Sequence, residues 1–262
     1  MTRNFIASAL NEPPNIISLL HKLHADAPWA FILEDWENII FSVIIAAFVI
    51  IVFRYGIRKR SMIPHGLQNC LEIMTEMLTD VINGILGADG KKYIPFLGTL
   101  FIYILAMNLF GLVPLMRAPS ASLNIPIALA LCVFVLVQYL NIRNMGFFGF
   151  LYHLAGSPKD TLGWIMVPMM FPIELLTQIS RPITLSLRLF GNIMGEEALI
   201  GYFTLLGVVA FGFFQLPVDA GLPLQIPFMF LGMLTSVMQA LVFTLLSAVY
   251  ILLSIPHKET SH

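Results

Sequence analysis

The sequence predicts an all-α integral membrane protein with five transmembrane helices and one interfacial amphipathic helix, the last two spans long and tilted. Three observations lead there. Hydrophobic residues make up 58% of the 262-residue chain and charged residues only 11%, whereas a water-soluble globule carries about a quarter charged residues. Mean hydropathy is +0.86. The apolar residues gather into runs long enough to cross a ~30 Å hydrocarbon layer. A soluble enzyme and a disordered tail are excluded, and a net charge of −1 offers no footprint for nucleic acid. Cys70 and Cys132 stand far apart without a CxxC pattern, so neither a disulfide framework nor a metal site is indicated, and no cofactor is expected.

Residues 1–35 read as an outer tail without a secretory signal, since Asn11-Glu12-Pro13-Pro14 cuts short the apolar stretch after Arg3. The membrane domain is expected over 36–256 and a cytoplasmic tail over 257–262. The first span, Ile39 to Phe53, follows Trp36 at an interface position and needs its flanks to complete the crossing. Arg54, Arg58, Lys59 and Arg60 come directly after it, and Glu34, Asp35 and Glu37 precede it. The positive-inside rule therefore puts the N-terminus outside. Gly66 to Gly87 is amphipathic: Leu67, Leu71, Met74, Leu78, Val81 and Ile85 recur every three or four residues, with Glu72, Glu76 and Asp80 elsewhere on the helix. Burying those acids at roughly 2.5–3.5 kcal/mol each is costly, so the helix is read as lying along the cytoplasmic interface. A solvent-exposed connecting helix is the alternative.

Spans follow at Tyr93 to Leu115 and Leu123 to Leu140, then a polar connection over Asn141 to Gly163, then Trp164 to Phe211 and Leu224 to Ile255. Sides assigned in this order put nine Lys/Arg in the cytoplasm, three outside (Arg3, Lys22 and Arg117) and two within the long segment. The 48 residues of Trp164 to Phe211 would make a helix about 72 Å long. Either it is a hairpin bending at Arg181-Pro182 or a single tilted helix. The second is favoured, because a lone proline kinks a helix more often than it reverses one.

This segment holds Glu174, Arg181, Arg188, Glu196 and Glu197. Ionisable groups at membrane depth line polar pathways or interfaces. Glu174, Arg181 and Arg188 are seven apart and share a stripe that Asn192 continues, whereas Glu197, nine beyond Arg188, lies on the opposite face. Glu174 and Arg181 also admit a plainer reading as an internal relay through Gln178, or as snorkelling side chains. Arg188, flanked by Leu185, Leu187, Leu189 and Phe190, has no sequence-local acid.

The string Ser186-Leu187-Arg188-Leu189-Phe190-Gly191-Asn192, with Pro182-Ile183-Thr184-Leu185 before it and Gly195-Glu196-Glu197 after it, resembles subunit a of the F-type ATP synthase. So do Asn108-Leu109-Phe110-Gly111-Leu112-Val113-Pro114, Pro119 to Asn124, and Gln239-Ala240-Leu241-Val242-Phe243. The resemblance covers roughly 36–256. It implies that Arg188 is the stator arginine facing a rotating c-ring, and that Glu174 and Glu197 are the acids of the cytoplasmic and outer half-channels. It also implies that Asn192 and Gln239 are polar neighbours of the arginine, and that Ser122 and Asn124 lie near the outer route. Arg181 and Glu196 complete the candidate proton-translocation residues.

The sequence departs from one common pattern of that family: seven residues before Gln239, where some members place a titratable partner, stands Gly232, a gap that Glu196 could fill. For Gln239, polar packing between two helices is the plainer alternative. The resemblance further implies c-ring subunits, peripheral-stalk b subunits and, through the assembled complex, the F1 sector as partners, with lipid around the chain and no catalysis by the chain alone. A bacterial inner membrane is the expected location. An ion-coupled secondary transporter lacks support from internal repeats, an intramembrane hydrolase lacks GxSxG and HExxH, and a membrane scaffold would not need Arg188.

Overall fold

The computed structural model describes residues 36–58, 66–113, 116–156, 161–213 and 223–255. The N-terminal tail, Lys59 and Arg60, most of the Gly212 to Pro227 connection, and the C-terminal tail lie outside these residues. Among the described residues the chain is helical throughout its regular structure: α1 (Glu37–Arg58), α2 (Leu67–Leu86), α3 (Ile94–Gly111), α4 (Asn124–Leu154), α5 (Thr161–Phe213) and α6 (Ile226–Ser254), with short 3-10 turns at Gly87–Lys92 and Pro119–Ala121. Five of these helices are long and apolar enough to cross a membrane; α2 is the one left over.

The first span is longer than its apolar run. At 22 residues α1 reaches about 33 Å, long enough to cross a ~30 Å hydrocarbon layer. In α2 the amphipathic pattern is realised with a shifted stripe. Leu78, Ile82 and Leu86 are buried, and Leu71 and Met74 half-buried, whereas Leu67 and Val81 are exposed. The helix period of 3.6 carries the contact line from Leu78 to Ile82 and Leu86 instead of through Val81. The acids Glu72, Glu76 and Asp80 remain exposed.

The polar connection expected from Asn141 onward is instead largely helical. α4 continues to Leu154, with a break in its dihedrals at Gly146, where φ is 72°. Nothing before Gly146 stops the helix, since Asn141 to Met145 contain neither proline nor glycine. Asn144 also donates its side-chain amide to the Ser254 carbonyl at 2.9 Å, tying the far end of α4 to the end of α6. A positive φ at Gly146 costs a residue without a β-carbon little.

α5 is one helix of 53 residues with Pro168, Pro172 and Pro182 inside it, so the chain does not reverse at Arg181-Pro182. At ~1.5 Å per residue it is about 80 Å long, which requires a strong inclination to remain within a membrane.

The core joins Ile45 of α1, Ile82 of α2, Leu97, Ile104 and Met107 of α3, Val133 of α4, Leu189 of α5, and Phe243, Ala248 and Ile251 of α6. The Ser42 and Tyr103 hydroxyls hydrogen-bond between α1 and α3 at 2.5 Å. Burial is uneven. In the most apolar stretch of α6 44% of the residues are buried, in that of α5 only 11%. α6 is thus a central element, and α5 carries a long open surface.

Candidate functional site

Contacts order the helix ends. Gln138 of α4 donates its amide to Gln178 Oε1 of α5 at 2.8 Å, and the same end of α4 holds the end of α6 through Asn144. The opposite part of α5 meets the segment before α4, where the Ala118 N–H donates to Glu197 Oε1 at 3.4 Å. The start of α6 meets it too, where Thr235 Oγ1 donates to Glu196 Oε2 at 3.0 Å. Arg188 lies between these two regions. Along the axis Glu174 is about 21 Å from it in one direction and Glu197 about 13.5 Å in the other.

Arg188 is exposed at the surface of the chain, and among the described residues it has neither a hydrogen bond nor an ion pair. Leu185, Ser186 and Leu189 around it are buried, so α5 packs through those positions and turns the arginine outward. One turn further on, Asn192 donates its amide to Gln239 Oε1 at 2.6 Å. Gln239 is 3% exposed, and its Nε2 is buried without a partner, as is Ser236 Oγ one turn before it. Buried polar atoms are normally satisfied, so these two mark a polar seam between α5 and α6 beside the arginine.

The two adjacent glutamates diverge, as neighbours ~100° apart on a helix must. Glu197 faces the segment after α3, and Glu196 faces α6 at Gly232. A β-carbon at Gly232 would collide with Glu196 Oε1; the missing side chain at 232 makes the room that the Glu196 carboxylate occupies. The departure seen in the sequence is therefore a paired one.

Ser122 donates its hydroxyl to the Pro119 carbonyl within its own turn, and Asn124 is exposed in the first turn of α4. In this segment the Ala118 backbone reaches Glu197. The segment is fixed by Ser120, whose hydroxyl donates to Asn108 Oδ1 at 2.9 Å, with Ser120 0% and Asn108 1% exposed.

Glu174 is half-buried. Arg181 is half-buried too, but its guanidinium lies over the Tyr250 ring at 5.2 Å from the centroid. Gln178 bonds to Gln138 on α4, so the relay joining Glu174 to Arg181 through Gln178 is replaced by contacts to the neighbouring helices. Sequence reasoning had no signal for Thr235, Ala118 or Tyr250, whose roles arise from tertiary proximity. Among the described residues no group of three His, Cys, Asp or Glu side chains converges as a metal site would require.

The geometry is thus a long helix exposing a guanidinium, with carboxylates displaced either way along it. The profile of the ATP synthase A chain family matches residues 39–252. This chain belongs to the ATP synthase A chain family. Among its relatives, an ATP synthase subunit a of Protochlamydia amoebophila is 59% identical over 97% of this chain and 93% of its own length. Those of Moorella thermoacetica and Oleidesulfovibrio alaskensis are 37% and 38% identical, over 74% and 76% of this chain and 79% and 77% of theirs. Membership agrees with five apolar helices and with an α5 whose open surface leaves room for a partner.

Proposed function

We propose that the chain is the stator subunit of the membrane sector of an F-type ATP synthase, forming two offset proton half-channels to a rotating c-ring and coupling proton flow to ATP synthesis. The observation that carries the reading is the bare, outward guanidinium of Arg188 midway along the least buried helix. A ring carboxylate crossing lipid must be neutral, because an unpaired buried charge is costly. Opposite Arg188 the anion is favoured: at ~4 Å and an effective dielectric near 20 the attraction is about 4 kcal/mol before desolvation. The carboxylate gives up its proton as it approaches and takes one as it leaves. Guanidinium suits this place because it stays charged where a buried lysine would titrate.

In this reading Glu197 and Glu196 handle protons on the outer route, with Ser122 and Asn124 near its mouth, and Glu174 serves the cytoplasmic route. Asn192 and Gln239 form the polar seam beside Arg188, and Arg181 lies toward the cytoplasmic route with its guanidinium over Tyr250. The pairing of Glu196 with Gly232 and Thr235 supports an acid moved from α6 to α5 without loss of the group. The chain catalyses nothing alone. Its partners are the c-ring, the peripheral-stalk b subunits and, through the assembly, the F1 sector. It sits in a bacterial inner membrane with the N-terminus outside and the C-terminus in the cytoplasm.

The test is ATP-driven proton pumping by vesicles carrying the assembled complex. Arg188→Ala is expected to abolish pumping while the ring still co-purifies, and Arg188→Lys to lower it more than tenfold. Normal coupled pumping by Arg188→Ala would remove the arginine from the mechanism.

A further inference from the structure

Two arginines stand seven residues apart on α5, about 10.5 Å along the axis and within ~20° of the same face. Only one of them faces outward. Arg188 is exposed, whereas Arg181 is half-buried with its guanidinium over Tyr250 of α6. Around Arg181 is a small, half-open chamber between α4, α5 and α6, lined by Gln138, Asn141, Gln178, Pro182 and Tyr250 among others. Three groups in it are in need of a hydrogen-bond partner or able to supply one. Gln138 spends its amide N–H on Gln178, leaving its Oε1 buried without a donor. Pro182 has no N–H to give the carbonyl of Gln178, its i−4 partner in the helix. The guanidinium over the Tyr250 ring retains several N–H donors. The chamber offers the centres of water molecules about 20 Å³, against the roughly 10–15 Å³ that one molecule needs.

We propose that this chamber is a water site, and that its water, the Gln138–Gln178 amide pair and the Tyr250 ring hold the Arg181 guanidinium against α6. The water donates to Gln138 Oε1 and to the Gln178 carbonyl and accepts from Arg181. The ring supplies a cation–π contact within the ~6 Å over which such contacts act. The consequence lies on the outer surface of α5. An extended arginine side chain reaches beyond one ~5.4 Å helical turn, so a released Arg181 could swing out and offer a second cation to the acid that Arg188 meets. Held inward, it leaves Arg188 as the single station. Gln138, Gln178 and Tyr250 are positioning residues in this sense, and the inference rests on the rotor-facing role proposed for Arg188.

The test reads ATP-driven acidification of inverted vesicles carrying the whole complex, with ring co-purification as the check on assembly. Tyr250→Leu, which removes the ring, is expected to slow pumping at least threefold, while Tyr250→Phe, which keeps it, pumps at the parental rate. Adding Arg181→Gln to Tyr250→Leu is expected to restore part of the loss, because it removes the competing cation. A merely structural role for the ring predicts no such rescue. A parental rate for Tyr250→Leu, an equal loss with Phe, or a double variant no faster than the single would each overturn the proposal. Should Tyr250→Leu fail to assemble, Gln138→Leu takes its place with the same expected rescue. A side-chain-resolution map of the parental complex is expected to hold a water within hydrogen-bond distance of Gln138 Oε1; a dry chamber would overturn the water site. Arg188→Ala in the same vesicles separates the two claims. Continued pumping there defeats the rotor-facing role itself, whereas a silent Arg188→Ala beside a full-rate Tyr250→Leu defeats only the holding site.

Discussion

Glu196 and Gly232 share one volume: the carboxylate of α5 lies where a β-carbon of α6 would be, and Thr235 on the next turn donates to its other oxygen. Gly232→Ala must push that carboxylate aside or part the helices. Forcing an extra carbon into a packed site costs typically 1–3 kcal/mol. The variant complex is expected to melt at a lower temperature and to pump more slowly, and Glu196→Ala added to it is expected to recover the melting temperature but not the pumping. Thermal unfolding and vesicle acidification measured together check this.

Glu197 accepts from a backbone N–H that no side-chain substitution at Ala118 removes. Glu197→Gln keeps an acceptor oxygen in a side chain of the same shape and removes the charge and the capacity to exchange a proton. We expect an assembled complex with proton flux reduced about tenfold, roughly 1.4 kcal/mol on the rate scale. An unaltered flux would place the outer route elsewhere.

The Asn192–Gln239 hydrogen bond is the one that Gln239's side chain makes among the described residues, its Nε2 being already unpartnered. Asn192→Ala strands the whole amide, at about 1–3 kcal/mol. Gln239→Leu removes the need for a partner and is expected to destabilise the complex less. Chemical denaturation of the two variants ranks them, and the reverse order would contradict the polar seam.

Ser120 donates into the buried Asn108 and so anchors the segment that presents Ala118 to Glu197. Ser120→Ala is expected to cost about 1–3 kcal/mol of stability, since it leaves Asn108 Oδ1 without its donor. It is also expected to slow proton uptake through the outer route, which a stopped-flow measurement of pumping onset would register.

Much of this was legible in the linear sequence because the membrane writes simple rules into composition. Apolar runs gave the five spans, and the tendency of a lone proline to kink a helix rather than reverse it gave a single α5. The cost of charge in hydrocarbon singled out Arg188, and helical spacing placed Glu197 away from it. What was not legible depends on packing between helices. α4 runs on past Asn141 because Asn144 finds the Ser254 carbonyl on α6, a contact 110 residues distant in sequence. Arg181 shares a stripe with Arg188 yet turns inward, because the Tyr250 ring that its guanidinium covers lies on another helix, α6. That Glu196 could stand in for a group missing at Gly232 was readable in the sequence; that its carboxylate fills the space a β-carbon there would take was not.

The separation between the Arg188 guanidinium and the nearest ring carboxylate, in a side-chain-resolution map of the assembled complex, bears most directly on the stator mechanism. We predict a carboxylate within about 4 Å, or joined through one water, on the open face of α5. A guanidinium directed into lipid headgroups, or paired with a carboxylate of its own chain while no ring helix stands opposite, would contradict it.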